Sequence, residues 1–262
     1  MPKCDEILQT LIAPSAPSVC EQAASRWLNR FGWHMLRYCC EGLSVNTCRR
    51  PTELSANLQM AIEQLAVPGI AIGHRLISPG DEDTLLPEEA VTSSSAKSRR
   101  ASGAARVAAR ELLAGVGLKN CAILKSASGA PLWPPQIVGS LAHDSDVAVA
   151  AVAPHREFAG IGIDIEPAEA LPIELLATIA TPLERLALAT YVYDGRLLFA
   201  AKEAVYKAVA GLDQIFLDHR DVEVDFRERK ASVRNGRTVE LRFGMSSHLL
   251  VLAFIRRAPM TS

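Results

Sequence analysis

Aromatic residues make up only 5% of the 262-residue chain, and none interleaves with its basic segments, which argues against stacking on single-stranded nucleic acid. Charge of one sign is also missing, since 28 Lys and Arg face 29 Asp and Glu for a formal net charge of −1. No overall field draws the chain to nucleic acid or an anionic membrane, so an anion site has to be a local cluster. Apolar runs such as 65–72 and 147–152 fall far short of the roughly 20 residues that span a bilayer. The first residues include Asp5 and Glu6 instead of a basic segment leading into an apolar one, so no secretory signal is expected and the expected compartment is the cytoplasm. Six cysteines, Cys4, Cys20, Cys39, Cys40, Cys48 and Cys121, lie in the first half without a C-x-x-C pair or a companion histidine spacing. That excludes the common zinc patterns and points to reduced thiols. No repeat of solenoid length and no long low-complexity tract occurs, which excludes stacked-repeat architectures.

What is present is the composition of a compact globular protein, 49% hydrophobic and 22% charged. Residues 98–113, rich in Ala, Arg and Leu with Gly115 just beyond, predict a helix despite Gly103. The stretch before it, 78–98, is acidic and then Ser-rich and predicts an exposed excursion. Two short apolar runs, 147–153 and 158–165, predict neighbouring strands. Thr181-Pro182-Leu183-Glu184 combines a capping box with proline at the first helical position. It predicts a helix ending near Asp194-Gly195, followed by a second from about Arg196 to Ala210. Alternation over 222–226, 238–243 and 249–255 predicts strands of an antiparallel sheet. Strand, helices and then strands make an α+β pattern, and the interruption at 153–160, APHREFAG, is the expected boundary between an N-terminal half, 1–157, and a C-terminal half, 158–262.

Four constellations can carry chemistry. In Gly160-Ile161-Gly162-Ile163-Asp164-Ile165-Glu166-Pro167, strand alternation puts Asp164 and Glu166 on one face. Two like charges so close persist most easily around a cation or a basic group, and oxygen-only donors favour Mg²⁺ or a similar hard ion. On its own, a D-x-E also describes the polar end of an edge strand. In Phe199-Ala200-Ala201-Lys202-Glu203-Ala204-Val205-Tyr206-Lys207, Glu203 and Lys207 lie one helical turn apart. Alone they fit an exposed ion pair, but the apolar surroundings turn that face inward. Arg99, Arg106 and Arg110 fall within a narrow helical arc with no acidic residue before Glu111, a stripe suited to phosphate or to simple solvation. Finally, a Pro/Trp loop, Gly129 to Pro134, feeds Gly139-Ser140-Leu141-Ala142-His143-Asp144. His143 has no G-x-S-x-G partner that would suggest a hydrolase triad.

Taken in order, SRRASGAARVAAR, GAPLWPPQIVGSLAH, GIGIDIE and FAAKEAVYKA resemble the 4′-phosphopantetheinyl transferase superfamily, in particular its larger, pseudo-dimeric branch that includes siderophore-synthetase-associated enzymes. The resemblance spans roughly residues 95–210. It implies an α+β fold of two similar subdomains related by a pseudo-twofold axis, with coenzyme A bound in the cleft between them and Mg²⁺ on its pyrophosphate. Asp164, Glu166 and Glu203 match the family's metal-binding carboxylates. Lys207 matches the lysine on the coenzyme phosphates, Lys202 the lysine before the glutamate, and His143 the histidine on a coenzyme phosphate. Arg106 falls near the adenosine 3′-phosphate site, with Arg99, Arg100 and Arg110 as basic neighbours. Ala105, Ala101, Phe199 and the Ala142-His143-Asp144 triplet depart from the family's usual residues.

The implied reaction is attack by a serine of an apo acyl or peptidyl carrier protein on the coenzyme's β-phosphate, with release of adenosine 3′,5′-bisphosphate. Glu203, directly or through water, is the candidate general base, and Lys207 and His143 balance phosphate charge. A monomer without nucleic-acid partners is expected. Another Mg²⁺-dependent phosphoryl-transfer or nuclease enzyme, and a non-catalytic carrier-binding protein of the same fold, stay open as alternatives.

Overall fold

The computed structural model describes residues 51–89, 95–126, 129–188, 194–213 and 217–258. Of the six cysteines only Cys121 falls among them, as a free thiol; the expectation for the other five lies outside the described residues.

Chain order begins with α1 (Pro51–Gln64) and β1 (Ala71–Leu76), then two short 3-10 turns at Asp81–Thr84 and Pro87–Glu89. There follow α2 (Ala96–Gly115), the two-residue strands β2 (Leu124–Lys125) and β3 (Pro131–Leu132), and the hairpin β4 (Ile137–His143) and β5 (Val147–Pro154). The second half has β6 (Phe158–Pro167), α3 (Ile173–Ile179), α4 (Pro182–Ala187), α5 (Asp194–Asp213), and then β7 (Val222–Asp225), β8 (Lys230–Val233), β9 (Thr238–Met245) and β10 (His248–Arg256). The chain is thus α+β.

One topology occurs twice. A first strand, a 20-residue helix and an antiparallel hairpin give the order β1-β5-β4 in one half and β6-β10-β9 in the other, with β8 and β7 added at the far edge. Every ladder is antiparallel. The helix α2 packs on one face of β5 through Ala104, Ala105, Ala108 and Ala109. The opposite face of β5, Val147, Val149, Ala151 and Ala153, meets Ile161, Ile163 and Ile165 of β6 and Leu250, Leu252 and Phe254 of β10 in a core closed by α1. Behind that sheet, α5 covers Val251 and Ala253. Both central strands, β5 and β10, are therefore buried on two faces, which is why they read as unbroken apolar runs.

The capping box at Thr181 and Glu184 forms as the sequence predicts. The helix it opens stops at Ala187, however, and Asp194-Gly195 opens α5 instead of ending α4. Strands β5 and β6 follow one another but belong to separate sheets. The elements α1, β1 and β8 carry no sequence signal that the periodicity picks out. Gly103, an unfavourable residue inside a helix, is explained by the acidic excursion: the Asp81 carbonyl lies where a Cβ would go.

The packing that matters most for the site is between α5 and β6. A Cβ at Gly160 would overlap the Ala208 carbonyl, and one at Gly162 the Ala204 carbonyl. With Ala201, Ala204 and Ala208 also buried, helix backbone rests directly on strand backbone. Gly162→Val should therefore cost at least the roughly 1–3 kcal/mol typical of overpacking in chemical denaturation. Gly211, exposed in the same helix with open space around its Cβ position, is the contrast: Gly211→Ala should stabilise by about 0.5–1 kcal/mol.

Candidate active site

Because β6 alternates, Gly160, Gly162, Asp164 and Glu166 share the face that meets α5, and Ile161, Ile163 and Ile165 face the core between the sheets. The Lys207 ammonium, one turn after Glu203, donates to Asp164 Oδ1 at 2.6 Å and to the Ile163 carbonyl at 3.1 Å. Arg196, at the start of α5, donates to Glu166 Oε2 at 3.0 Å. Glu203 Oε1 lies 2.9 Å from His219 Nε2, and the His219 ring stacks on Phe199. Each of the three carboxylates is thus held through one oxygen. Asp164 Oδ2 is buried and accepts no hydrogen bond.

Burial raises Asp164 to about 6, a shift that Lys207 opposes and the charge of Glu203 reinforces. Burial and then the charge of Asp164 raise Glu166 to about 7, against the pull of Arg196. These are two carboxylates desolvated side by side, the situation that a divalent cation relieves. The all-oxygen donor set and the orphaned Asp164 Oδ2 fit a hard cation. Among the described residues, no three His, Cys, Asp or Glu side chains already converge closely enough to hold a metal ion.

His143 ends β4 with Nδ1 donating to the Asp144 carbonyl at 3.3 Å. Desolvation by the surrounding chain holds its pKa below the ordinary value, and the charges of Lys207 and Lys125 push it the same way. Lys125, on β2, is itself lowered by desolvation and by Arg106. Lys125 and Lys207 therefore both lie close enough to His143 for their charges to act on it, two ammonium groups near one imidazole in a chain of near-zero net charge.

Two assignments need correction. Lys202 does not face a ligand: it is 1% exposed, and its ammonium donates to Glu184 Oε2 at 2.7 Å and to the carbonyls of Ile179, His219 and Val222. It is a buried anchor that ties α5 to the turn carrying His219. Arg106 is 2% exposed and donates to the Ile123 carbonyl at 2.9 Å and to Ser102 Oγ at 2.6 Å. What it adds to the site is charge, felt by Lys125. Nor is the arginine stripe unneutralised. The acidic excursion folds back so that Glu82 binds Arg100 and the buried Glu89 binds Arg110. Arg99 sits half-buried in the first turn of α2.

Three residues at the site escaped sequence reasoning. Arg196, Glu203 and Lys207 are spaced i, i+7 and i+11, the same arc that singled out the arginine stripe, so Arg196 was within reach. Lys125 and His219 sit on short or irregular segments with no periodic signal.

Residues 86–153 match the family described as the 4′-phosphopantetheinyl transferase N-terminal domain, and residues 160–252 match the 4′-phosphopantetheinyl transferase superfamily. The 4′-phosphopantetheinyl transferase Npt of Nocardia iowensis is 37% identical over 179 residues, 67% of this chain and 81% of that protein. The transferase Svp of Streptomyces mobaraensis is 40% identical over 156 residues, 56% of this chain and 63% of Svp. PptT of Mycobacterium tuberculosis is 37% identical over 149 residues, 55% of this chain and 66% of PptT. The chain belongs to the 4′-phosphopantetheinyl transferase superfamily and is a transferase of that type. Among the described residues no helix is long and apolar enough to cross a membrane.

Two measurements check the electrostatics. Lys202→Met leaves the buried Glu184 without a counter-charge and should cost about 3–5 kcal/mol of stability; a loss under about 1 kcal/mol would return Lys202 to a solvent-facing role. Because Asp164 and Glu166 are raised above their unfolded values of 3.8 and 4.5 to about 6 and about 7, the cation-free folded chain binds more protons than the unfolded one in that window. Its stability should fall as pH rises from about 4 to about 7, and Glu166→Gln should flatten the decline in denaturant titrations.

Proposed function

We propose that the protein transfers the 4′-phosphopantetheine group of coenzyme A to a serine of an apo acyl or peptidyl carrier protein. The observation that carries this reading is the meeting of an acidic face, Asp164 and Glu166 on β6 with Glu203 on α5, and a rim of two ammonium groups, Lys125 and Lys207, with the imidazole of His143. A pyrophosphate needs both: bases for its outer oxygens and carboxylates for the cation that accompanies it. Asp164 and Glu166, with Glu203 as the third carboxylate, would hold Mg²⁺. When bound, that ion supplies charge stabilisation for the pyrophosphate.

The serine oxygen forms a bond to the β-phosphorus as the bond from that phosphorus to the bridging oxygen breaks. Adenosine 3′,5′-bisphosphate leaves with that oxygen. Glu203 takes the serine proton, directly or through a water, while His219 fixes its Oε1. Lys125, His143 and Lys207 bind the phosphates, and the charge of Arg106 behind Lys125 adds to the field. Arg99 completes the basic surroundings. Residues 1–157 and 158–262 are the two halves of the transferase; the repeated topology and the gap between the two family matches at 154–159 support that division. A reaction that consumes coenzyme A, together with the free thiol of Cys121, favours the cytoplasm. The near-zero net charge favours neither nucleic acid nor membrane, and both halves in one chain favour a monomer.

Intact-mass measurement of apo carrier proteins after incubation with the protein, coenzyme A and Mg²⁺ tests the reading directly. One added phosphopantetheine is expected, lost with EDTA and reduced by at least about 100-fold in Glu203→Ala. Lys125→Ala should raise the KM for coenzyme A about tenfold or more, the loss of one charge-assisted contact. A protein that binds coenzyme A but loads none of a broad carrier panel would overturn the assignment of its acceptor, and one that binds neither would overturn the transferase reading.

A further inference from the structure

Outside the residues already given roles, the two equivalent hairpins touch at their tips. His248, the first residue of β10, places Nε2 2.9 Å from Asp144 Oδ2, in the turn between β4 and β5, with side-chain exposures of 10% and 11%. The other oxygen of Asp144 accepts from the backbone N–H of Asp146 and of Val147, both at 2.8 Å, so its carboxylate is the core of that turn. The Asp144 carbonyl accepts from His143 Nδ1. His248 is fixed in its turn as well: Ser247 Oγ lies 3.1 Å from its Nδ1, and its backbone lies opposite Pro167, next to Glu166, in the β6–β10 ladder.

We propose that Asp144 and His248 form a clasp that positions His143 against the carboxylates of β6, so that His248, though it touches neither coenzyme nor carrier, is a positioning residue for the transfer. This rests on the reaction proposed above. One end of the clasp is bonded to the backbone beside His143, and the other is built into the ladder that carries Glu166. The two sides of the site come from different halves of the chain and from different sheets. Across the gap, the ladders fix nothing between the β4–β5 turn and the end of β6. The Ile163 N–H to Ser140 Oγ bond ties β6 to β4 three residues before His143; the bond between the two tips sets the spacing at the turn itself, and a misplacement of about 1 Å in a reacting geometry is enough to cost on the order of 100-fold in rate.

The test is steady-state kinetics of carrier loading on the full chain, with His248→Leu, His248→Gln, His143→Ala and the His143→Ala/His248→Leu double variant. His248→Leu should lower kcat about 10- to 100-fold, with the KM for coenzyme A changed less than about threefold. His248→Gln, whose amide sets a donor near the same place, should recover most of the rate. In the His143→Ala background the leucine should cost little more, because the residue through which it acts is gone. A His248→Leu variant with wild-type kcat, a full additional loss in the His143→Ala background, or a rate that falls only as far as thermal unfolding shows the folded fraction falls, with no rescue by glutamine, would each overturn the clasp. An inactive wild type would instead overturn the transferase reading on which it rests.

Discussion

The site depends on the absence of two side chains. With hydrogen in place of Cβ at Gly160 and Gly162, α5 settles onto β6 until the carbonyls of Ala208 and Ala204 occupy the space that side chains would need. Buried alanines contribute little apolar area each, so this interface gains from close contact rather than from bulk. Its return is geometric. At this separation a lysine one turn beyond Glu203 reaches both Asp164 and the carbonyl of Ile163. A larger residue at either glycine would lift the helix and, with it, Arg196, Glu203 and Lys207 away from the acidic strand.

The same strand serves a second purpose on its other side. β6 is an edge of the five-stranded sheet, and an edge leaves N–H and C=O groups without ladder partners. Ile163 shows how they are satisfied: its N–H donates to Ser140 Oγ of β4 at 3.0 Å and its carbonyl accepts from Lys207. The edge is thereby stitched to the other half of the chain and to α5 at a single residue. Ile161, Ile163 and Ile165 meanwhile fill the core between the sheets. A seven-residue run thus carries helix contact, paired carboxylates, inter-sheet core and edge protection, by alternation alone.

That economy made some of the molecule legible. Periodicity identified the strand of Asp164 and Glu166 and the helix of Glu203 and Lys207, and the capping box at Thr181 was readable because all its parts are local. What failed was non-local. The acidic partners of the arginines on α2, Glu82 for Arg100 and Glu89 for Arg110, lie 18 and 21 residues away across a turn-rich segment, beyond any helical arc. Lys202 and Lys207 look alike in sequence, five residues apart, yet they fall on opposite sides of α5, one into a cage of carbonyls and Glu184, the other onto the strand. Resemblance carries residue type across but not burial. Asp194-Gly195 suits a helix start as well as a stop, and here it opens α5.

Electrostatically, the arrangement solves a problem before any ligand arrives. Four acidic residues crowd one region, and a cluster of bare carboxylates there would be costly to desolvate. Each has its own base: Lys207 for Asp164, Arg196 for Glu166, His219 for Glu203 and His248 for Asp144. The pairing is incomplete by design of the geometry, since burial still raises Asp164 and Glu166 and one oxygen of Asp164 has no partner. A fully neutralised cluster would have no reason to bind a cation, and an unpaired one would not pack. Asp164, Glu166 and Glu203 are each held by their base through one oxygen, which fixes the orientation of the carboxylate before any ligand arrives, the condition for electrostatic preorganisation.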